Sequence, residues 1–88
     1  MTYKVKFSNK ANKIFKKIDR PIQKLIISYL ENNLEGCENP RAIGKALVGN
    51  KKGLWRYRIG NYRLICEIKD YDLIILIINL GHRRDIYK

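Results

Sequence analysis

The sequence predicts an α+β fold of the order β-α-α-β-β-β, an antiparallel sheet with a two-helix hairpin packed on one face. Three observations indicate this class. The N-terminal residues alternate between apolar and basic side chains, two apolar stripes with helical spacing follow, and the C-terminal half contains three strand-like runs separated by short turns. A chain of 88 residues is enough for one domain, residues 1–88, with one modest core.

The first strand and the first helix are predicted within residues 3–18. Residues 3–7 alternate between apolar side chains and lysines, as expected for a half-buried strand. Ser8 is a favourable helix cap, and the apolar residues after it recur with the period of a helix. They are Ala11, Ile14, Phe15 and Ile18. We therefore expect a short amphipathic helix with its lysines in solvent.

A second amphipathic helix is predicted from Pro21, because proline is suited to the first turn of a helix. Its apolar stripe consists of Ile22, Leu25, Ile26, Tyr29 and Leu30, and Leu34 can extend it. Gly36 can end this helix in the left-handed conformation. Residues 39–53 contain three glycines and one proline, which predicts a connecting loop with room for one helical turn.

A tight hairpin is predicted around the Gly-Asn pair at 60–61, which connects strand-like runs at 54–59 and 62–69. A two-residue connection of this kind places Arg58 opposite Arg63. Side chains alternate across a strand, so three arginines share one face, here called the arginine face: Arg56, Arg58 and Arg63. The other face carries the side chains that the helices must cover: Trp55, Tyr57, Ile59, Tyr62, Leu64 and Cys66.

The last strand is predicted from Leu73 to Leu80, and it is apolar on both faces, as central strands are. Gly81 is expected to end it, and a polar tail follows. Because that tail leaves the sheet beside the hairpin, we expect it to reach the arginine face. The tail residues expected there are His82, Arg83 and Tyr87.

The charge distribution indicates a polyanionic partner. The formal net charge is +11, and residues 39–66 contain seven Lys or Arg and no Asp or Glu. A cluster of arginines forced together on a sheet is best explained by an anion with several oxygens, such as a nucleic-acid phosphate. We expect further RNA contacts from Lys45, Lys51, Lys52 and Arg84.

Several classes of protein are disfavoured. The longest apolar run, Leu73 to Ile78, has the length of a strand, and the N-terminus lacks the apolar segment of a signal peptide. A cytoplasmic protein without a membrane partner is therefore predicted. Cys37 and Cys66 are far apart, and two cysteines with one histidine do not make a usual zinc site. We expect reduced thiols, no metal and no cofactor.

RNA cleavage is a reaction that these residue types can carry out. RNA supplies its own nucleophile, the 2′-hydroxyl, so the protein has to stabilise charge on the phosphorus centre and move protons. The candidates for charge stabilisation are Arg56, Arg58, Arg63 and Arg83. His82 is the only side chain whose unperturbed pKa lies near neutrality, and Tyr87 can stack on a base or donate a proton.

Simpler interpretations exist for each of these features. A lone histidine near a C-terminus is usually an ordinary surface residue, and a basic sheet face more often binds a polyanion than cleaves one. Glu67 is predicted on the arginine face, where we expect it to pair with a neighbouring arginine.

The segments 53–65 and 81–87 together resemble the RelE side of the RelE/ParE toxin superfamily, and Leu47-Val48-Gly49 resembles a motif that precedes the family's hairpin. The resemblance covers essentially the whole chain. It implies a cytoplasmic bacterial toxin of a type II toxin–antitoxin pair, which enters the ribosome and cleaves mRNA in the A site without a metal. It also implies neutralisation by a small antitoxin, with operator DNA contacted only through the toxin–antitoxin complex.

Three residues match the family's site directly. Arg63 matches the hairpin arginine, Arg83 the arginine after the last strand, and Tyr87 the C-terminal tyrosine.

Two positions depart from the family's pattern. Arg56 and Arg58 stand where the best-known member has two lysines. Since arginine does not lose its proton in a protein, these two can stabilise charge but are poor bases. Proton transfer is therefore expected from His82 first and from Tyr87 second.

Two other functions are compatible with this sequence. One is a ParE-like inhibitor of DNA gyrase, which binds a protein and performs no RNA chemistry. The other is a non-catalytic RNA-binding module, or a degenerate toxin that retains the fold and the charge. The Gly-His-Arg-Arg-Asp-Ile-Tyr ending favours the RNA-cleaving toxin over both.

Overall fold

The predicted α+β fold is confirmed by a computed structural model, which describes residues 1–49 and 53–84. The predicted order of elements is present, with one additional short strand. The elements are β1 (Lys4–Phe7), α1 (Asn9–Lys16), α2 (Arg20–Asn33), β2 (Lys45–Ala46), β3 (Trp55–Ile59), β4 (Tyr62–Lys69) and β5 (Ile74–His82).

The five strands form one sheet in the order β1-β5-β4-β3-β2. Strands β2 to β5 pair antiparallel, whereas β1 runs parallel to β5, with Lys4 opposite Ile74. The sheet is therefore mixed. The prediction that it is antiparallel throughout is wrong for β1. The helices cross one face and return the chain to the start of β1. Residues 37–44 then lead to the far edge, and three antiparallel strands bring the chain back to β1. The returning strand β5 meets β1 in the same direction, which only a long connection permits.

The helices begin for the predicted reasons, whereas α2 ends at Asn33, three residues before the predicted Gly36. The Ser8 hydroxyl accepts a hydrogen bond from the Ala11 N–H at 3.1 Å and so caps α1. Pro21 lies in the first turn of α2. Gly36 follows α2 with φ +80°, and its N–H donates to the carbonyl of Tyr3 at 2.8 Å. The end of α2 is thereby joined to the start of β1.

One face of the sheet packs against both helices and forms the core. The buried residues of this core cluster are Tyr3, Ala11, Ile26, Leu30, Leu34, Tyr57, Ile59, Leu64, Cys66, Ile75, Ile77 and Leu80. A β-bulge shifts the pairing between Ile65 and Cys66, which face Asn79 and Ile77 respectively. This shift lets both Ile77 and Leu80 face the helices, which explains why β5 looks apolar on both faces. The arginine face is the face that the helices leave open.

Both cysteines are free thiols, as predicted. Burial raises the pKa of each thiol, that of Cys66 well above its usual range. Neither thiol is therefore suited to act as a nucleophile. Within the described ranges, neither α1 nor α2 combines the length and the apolar character needed to cross a membrane.

Candidate nucleic-acid interface

The arginine face is built by the register of the β3–β4 hairpin. Arg58 lies directly opposite Arg63, and Arg56 lies opposite Ile65, as the two-residue turn predicts. Tyr57 and Leu64, on the other side, are fully buried. The alternation of the strands therefore presents the three arginines on the open face.

Strand β2 adds a fourth cation to this face. Lys45 pairs with Arg56 across the edge of the sheet, so its side chain lies on the same side. Two like-charged pairs, Lys45–Arg56 and Arg58–Arg63, are therefore neighbours. Among the described residues, the side chains of Lys45, Arg56 and Arg58 form no ion pair or hydrogen bond with the protein. Like charges directly opposite each other are unfavourable in a sheet, and an anion bound between Lys45 and Arg56 relieves their repulsion.

Glu67 is exposed on the arginine face, opposite Leu76 of β5. The ion pair predicted for it with a neighbouring arginine is wrong as far as the described residues go, because the ion pair found there joins Arg41 and Asp70. Glu67 is four residues from Arg63, which is about 13 Å along a strand. It is therefore too far away to neutralise that arginine.

Arg63 is half-buried, and its Nε atom is fully buried. The residue opposite it on β5 is Gly81, which has no side chain to compete for the open face. The prediction that Gly81 ends the last strand is wrong, because β5 continues through it to His82. Burial of Nε shields this part of the Arg63 guanidinium from solvent.

His82 lies on the opposite face from Arg63. It pairs with Tyr62, and the two rings pack edge to face with centroids 5.7 Å apart. Its Nδ1 accepts a hydrogen bond from the Arg84 N–H at 3.2 Å. The predicted position of His82 on the arginine face is wrong, because β5 continues through Gly81 and alternation then directs His82 to the helix side.

The start of the tail remains beside the hairpin. The Arg83 N–H donates to the carbonyl of Asn61 at 2.8 Å, so Arg83 lies next to the hairpin turn, and both Arg83 and Arg84 are exposed. Three predicted site residues lie outside the described residues: Lys51, Lys52 and Tyr87.

Two core aromatic residues hold the segment that presents Lys45. The Tyr57 hydroxyl donates to the carbonyl of Pro40 at 2.5 Å, and the Trp55 indole N–H donates to the carbonyl of Ile43 at 2.8 Å. Burial raises the pKa of Tyr57 well above its usual range, so the hydroxyl remains a donor. From the sequence, Trp55 and Tyr57 are predicted only as core residues. A buried Trp or Tyr also requires a partner for its polar hydrogen, and this requirement is the signal for the contacts with residues 40–43.

Gly44 allows this segment to approach β3 closely. It has φ +82°, and a Cβ at this position would clash with the Arg56 carbonyl and lie 2.6 Å from the Trp55 indole nitrogen. Only glycine combines this backbone conformation with so close an approach. Gly44 therefore sets the distance between Lys45 and Arg56.

A second contact fixes the same segment to the β4–β5 turn. Asp70 accepts two hydrogen bonds from the Arg41 guanidinium, both at 3.0 Å, and one from the Tyr3 hydroxyl at 2.7 Å. The bonds from Arg41, and then that from Tyr3, hold the pKa of Asp70 below its usual value. These residues are 29 and 67 positions apart from Asp70 in sequence, so no local pattern predicts the contact.

A small cavity of about 190 Å³ lies at the edge of the sheet, where β2 ends. It is lined by Tyr29, Gly44, Lys45, Arg56 and Arg58. Residues 1–49 and 53–84 contain no group of three His, Cys, Asp or Glu side chains close enough to hold a metal ion.

Known proteins resemble this chain over nearly all of its length. The family model for the ParE toxin of type II toxin–antitoxin systems, parDE, matches residues 5–87. The toxin RelG of Mycobacterium tuberculosis is 30% identical over 88 residues, which cover 100% of this chain and 99% of RelG. A RelE-like toxin protein of Escherichia coli is 32% identical over 90 residues, covering 99% and 92% of the two chains.

The solved structures agree with the sequence relatives. In the crystal structure of the toxin–antitoxin complex RelBE2 from Mycobacterium tuberculosis, the matching chain is 26% identical, with a TM-score of 0.83 over 94% of this chain and 100% of that chain. The resemblance predicted from the hairpin and the tail is thereby confirmed. The chain belongs to the RelE/ParE superfamily and is a RelE-family toxin of a type II toxin–antitoxin system.

Proposed function

We propose that this toxin is a ribosome-dependent endoribonuclease that cleaves mRNA in the A site without a metal ion. The observation that carries the proposal is the arginine face, where Lys45 faces Arg56 and Arg58 faces Arg63. One arginine can donate two parallel hydrogen bonds to two oxygens of a phosphate. A phosphate bound between two cations attracts both of them and so offsets their mutual repulsion. A backbone of linked phosphates is the ligand that satisfies several such cations at once.

The reaction uses the substrate's own hydroxyl. The 2′-oxygen loses its proton and bonds to the adjacent phosphorus, the bond from phosphorus to the 5′-oxygen breaks, and the 5′-oxygen takes up a proton. Negative charge grows on the non-bridging oxygens during this step. Arg63, Arg58 and Arg56 lie on one face to receive it, and we assign Arg83 to the same phosphate region from its position beside the hairpin turn.

Proton transfer is assigned differently from the sequence expectation. His82 faces the helix side of the sheet and packs on Tyr62, so a phosphate held by Arg63 is on the other side. We propose that the arginines supply most of the catalysis through charge stabilisation. We assign proton transfer to Tyr87 in place of His82.

A cognate antitoxin is the second partner that we propose. The matched mycobacterial structure is a toxin–antitoxin complex, and so is the similar archaeal RelE–RelB structure from Pyrococcus horikoshii. An acidic segment that covers the arginine face would neutralise this toxin by occupying its phosphate positions. Contact with operator DNA is then made only through that complex.

The decisive experiment expresses the toxin without an antitoxin and maps mRNA ends on isolated ribosomes. Cuts within the A-site codon support the proposal. Intact mRNA together with inhibited gyrase supercoiling would assign the toxin to the gyrase-inhibiting class instead. Intact mRNA with RNA binding retained would make it a non-catalytic binding module.

A further inference from the structure

We propose that the cavity at the edge of the sheet is a nucleotide subsite, which holds one nucleotide of the RNA strand beside the phosphate bound at Arg63. The proposal rests on the function proposed above and names a new residue in it, Tyr29. The cavity is lined by that tyrosine on α2 and by three cations, Lys45, Arg56 and Arg58. An aromatic ring beside cations is the arrangement that binds a base and its phosphate together.

The position of the cavity makes it continuous with the arginine face. Strand β2 pairs with two residues of β3, Trp55 and Arg56, and is one of the two edge strands of the described sheet. Beyond Arg56 the edge of β3 has no strand neighbour in the described part of the chain. The cavity lies at this free edge, with Arg58 shared between it and the Arg58–Arg63 pair. A strand that places one phosphate at Arg63 can therefore place its neighbour at Lys45 and Arg56.

The tyrosine is held in place for this role. Its ring packs on the buried Tyr57 at 6.5 Å between centroids, with an angle of 55° between the rings. Burial raises the pKa of Tyr29, so its hydroxyl remains protonated and available as a donor near neutrality. A rigid aromatic ring loses little conformational entropy when a base packs against it.

The size and charge of the cavity select the ligand class. At about 190 Å³ it is smaller than the cavities that hold drug-sized molecules, so it can take up part of one nucleotide while the rest of the RNA strand stays outside it. The cavity is lined by three cations and by no acidic residue. Its preferred ligand is therefore an anion. The backbone at Gly44 approaches β3 so closely that a Cβ there would clash with the Arg56 carbonyl. This close approach places the next residue, Lys45, beside Arg56.

The test measures ligand binding to the free toxin, so it does not depend on ribosomes or cleavage. Adenosine 3′,5′-bisphosphate is titrated against the protein and compared with inorganic phosphate. We expect the nucleotide to bind at least fivefold more tightly. Tyr29→Leu should reduce that ratio to near one with little change in phosphate affinity, whereas Lys45→Met should weaken both ligands. Tyr71→Leu, a change at a fully exposed tyrosine, is the matched control and should change neither.

An unaltered ratio in Tyr29→Leu would overturn the subsite. If that variant does not fold, NMR of the wild-type protein decides, because the bound base must shift the Tyr29 ring protons and give contacts to them. Saturation of the cavity by a glutamate-rich peptide, with no nucleotide binding, would assign it to an acidic protein partner and overturn the proposal. Nucleotide binding through Tyr29 in a toxin that cleaves no mRNA would refute the proposed function and leave the subsite standing.

Discussion

Arg63 and His82 show how much depends on which face of a strand a residue occupies. The two residues are close in the sheet, since Tyr62 pairs with His82 and Arg63 with Gly81. Alternation nevertheless directs them to opposite faces. Arg63 faces the open side with its Nε buried, while His82 packs on Tyr62. The two residues are therefore expected to make very different contributions to cleavage.

We expect Arg63→Ala to lower single-turnover cleavage on programmed ribosomes by at least tenfold. A lost charge-assisted contact costs about 1.5–3 kcal/mol, and tenfold corresponds to about 1.4 kcal/mol. His82→Ala should lower cleavage by less than tenfold, below the factor of about 10²–10⁴ that general acid–base catalysis contributes. Lys24→Ala, which removes an exposed charge from α2, is the control for net charge. A loss in His82→Ala that exceeds the loss in Arg63→Ala would restore His82 as the proton-transfer group.

The Lys45–Arg56 pair is expected to lower the stability of the free toxin. Lys45→Gln removes one of two directly opposed charges, so the variant should unfold at a higher temperature than the wild type in low salt. The difference should shrink as salt rises, because salt screens exposed charges. Thermal unfolding in low and high salt measures both effects. A variant less stable than the wild type in low salt would mean that the pair is not repulsive.

At the scale of elements, β2 depends on one glycine and two aromatic donors. Gly44→Ala places a methyl group against the Arg56 carbonyl, so we expect loss of β2 pairing and weaker RNA binding, similar to that of Lys45→Met. Gly36→Ala is the matched control, because its φ of +80° carries a similar strain and its added Cβ meets nothing within 4 Å. RNA affinity measured by titration separates the two variants. Equal losses in both would attribute the effect to backbone strain alone.

The Asp70 network is expected to make this end of the sheet sensitive to acid. The folded-state pKa of Asp70 is lower than its ordinary value of 3.8, so its contribution to stability is fully present above that value. The contribution is lost as the pH falls through the folded-state pKa. Asp70→Asn should therefore lower the unfolding temperature at pH 7 and converge with the wild type in acid. The effect is small, since exposed pairs are worth about 0.2–1 kcal/mol. A difference in unfolding temperature between Asp70→Asn and the wild type that grows as the pH falls would contradict this assignment.

Local patterns predict some of these elements and not others. The hairpin register is predictable because a two-residue Gly-Asn connection leaves one pairing for Arg58. Strand β2 is not predictable from the sequence, because a strand of two residues shows no alternation of apolar and polar side chains. Its position also depends on hydrogen bonds from Trp55 and Tyr57 to the segment before it. The parallel pairing of β1 is set by the whole path of the chain. The position of His82 is not predictable from local pattern, because a glycine followed by polar residues indicates the end of a strand, whereas β5 continues through Gly81 to His82.

At the scale of the whole molecule, the net charge of +11 is expected to dominate association with RNA. Each phosphate neutralised on a single strand contributes about −0.7 to the slope of log affinity against log salt. Four cations on the arginine face and β2 therefore predict a slope of roughly −3. Arg58→Gln should reduce its magnitude by about 0.7. Titration of single-stranded RNA at several salt concentrations measures the slope, and a flat dependence would contradict a phosphate-dominated interface.

The hydrogen bond between Trp55 and Ile43 gives this protein an optical reporter. The chain has a single tryptophan, and its indole N–H binds the segment that presents Lys45. If that segment detaches from β3, the indole exchanges a carbonyl partner for water, and its fluorescence emission shifts to the red. The intrinsic fluorescence of unlabelled toxin therefore follows the edge of its own RNA-facing sheet in real time, during mixing with RNA or with an antitoxin.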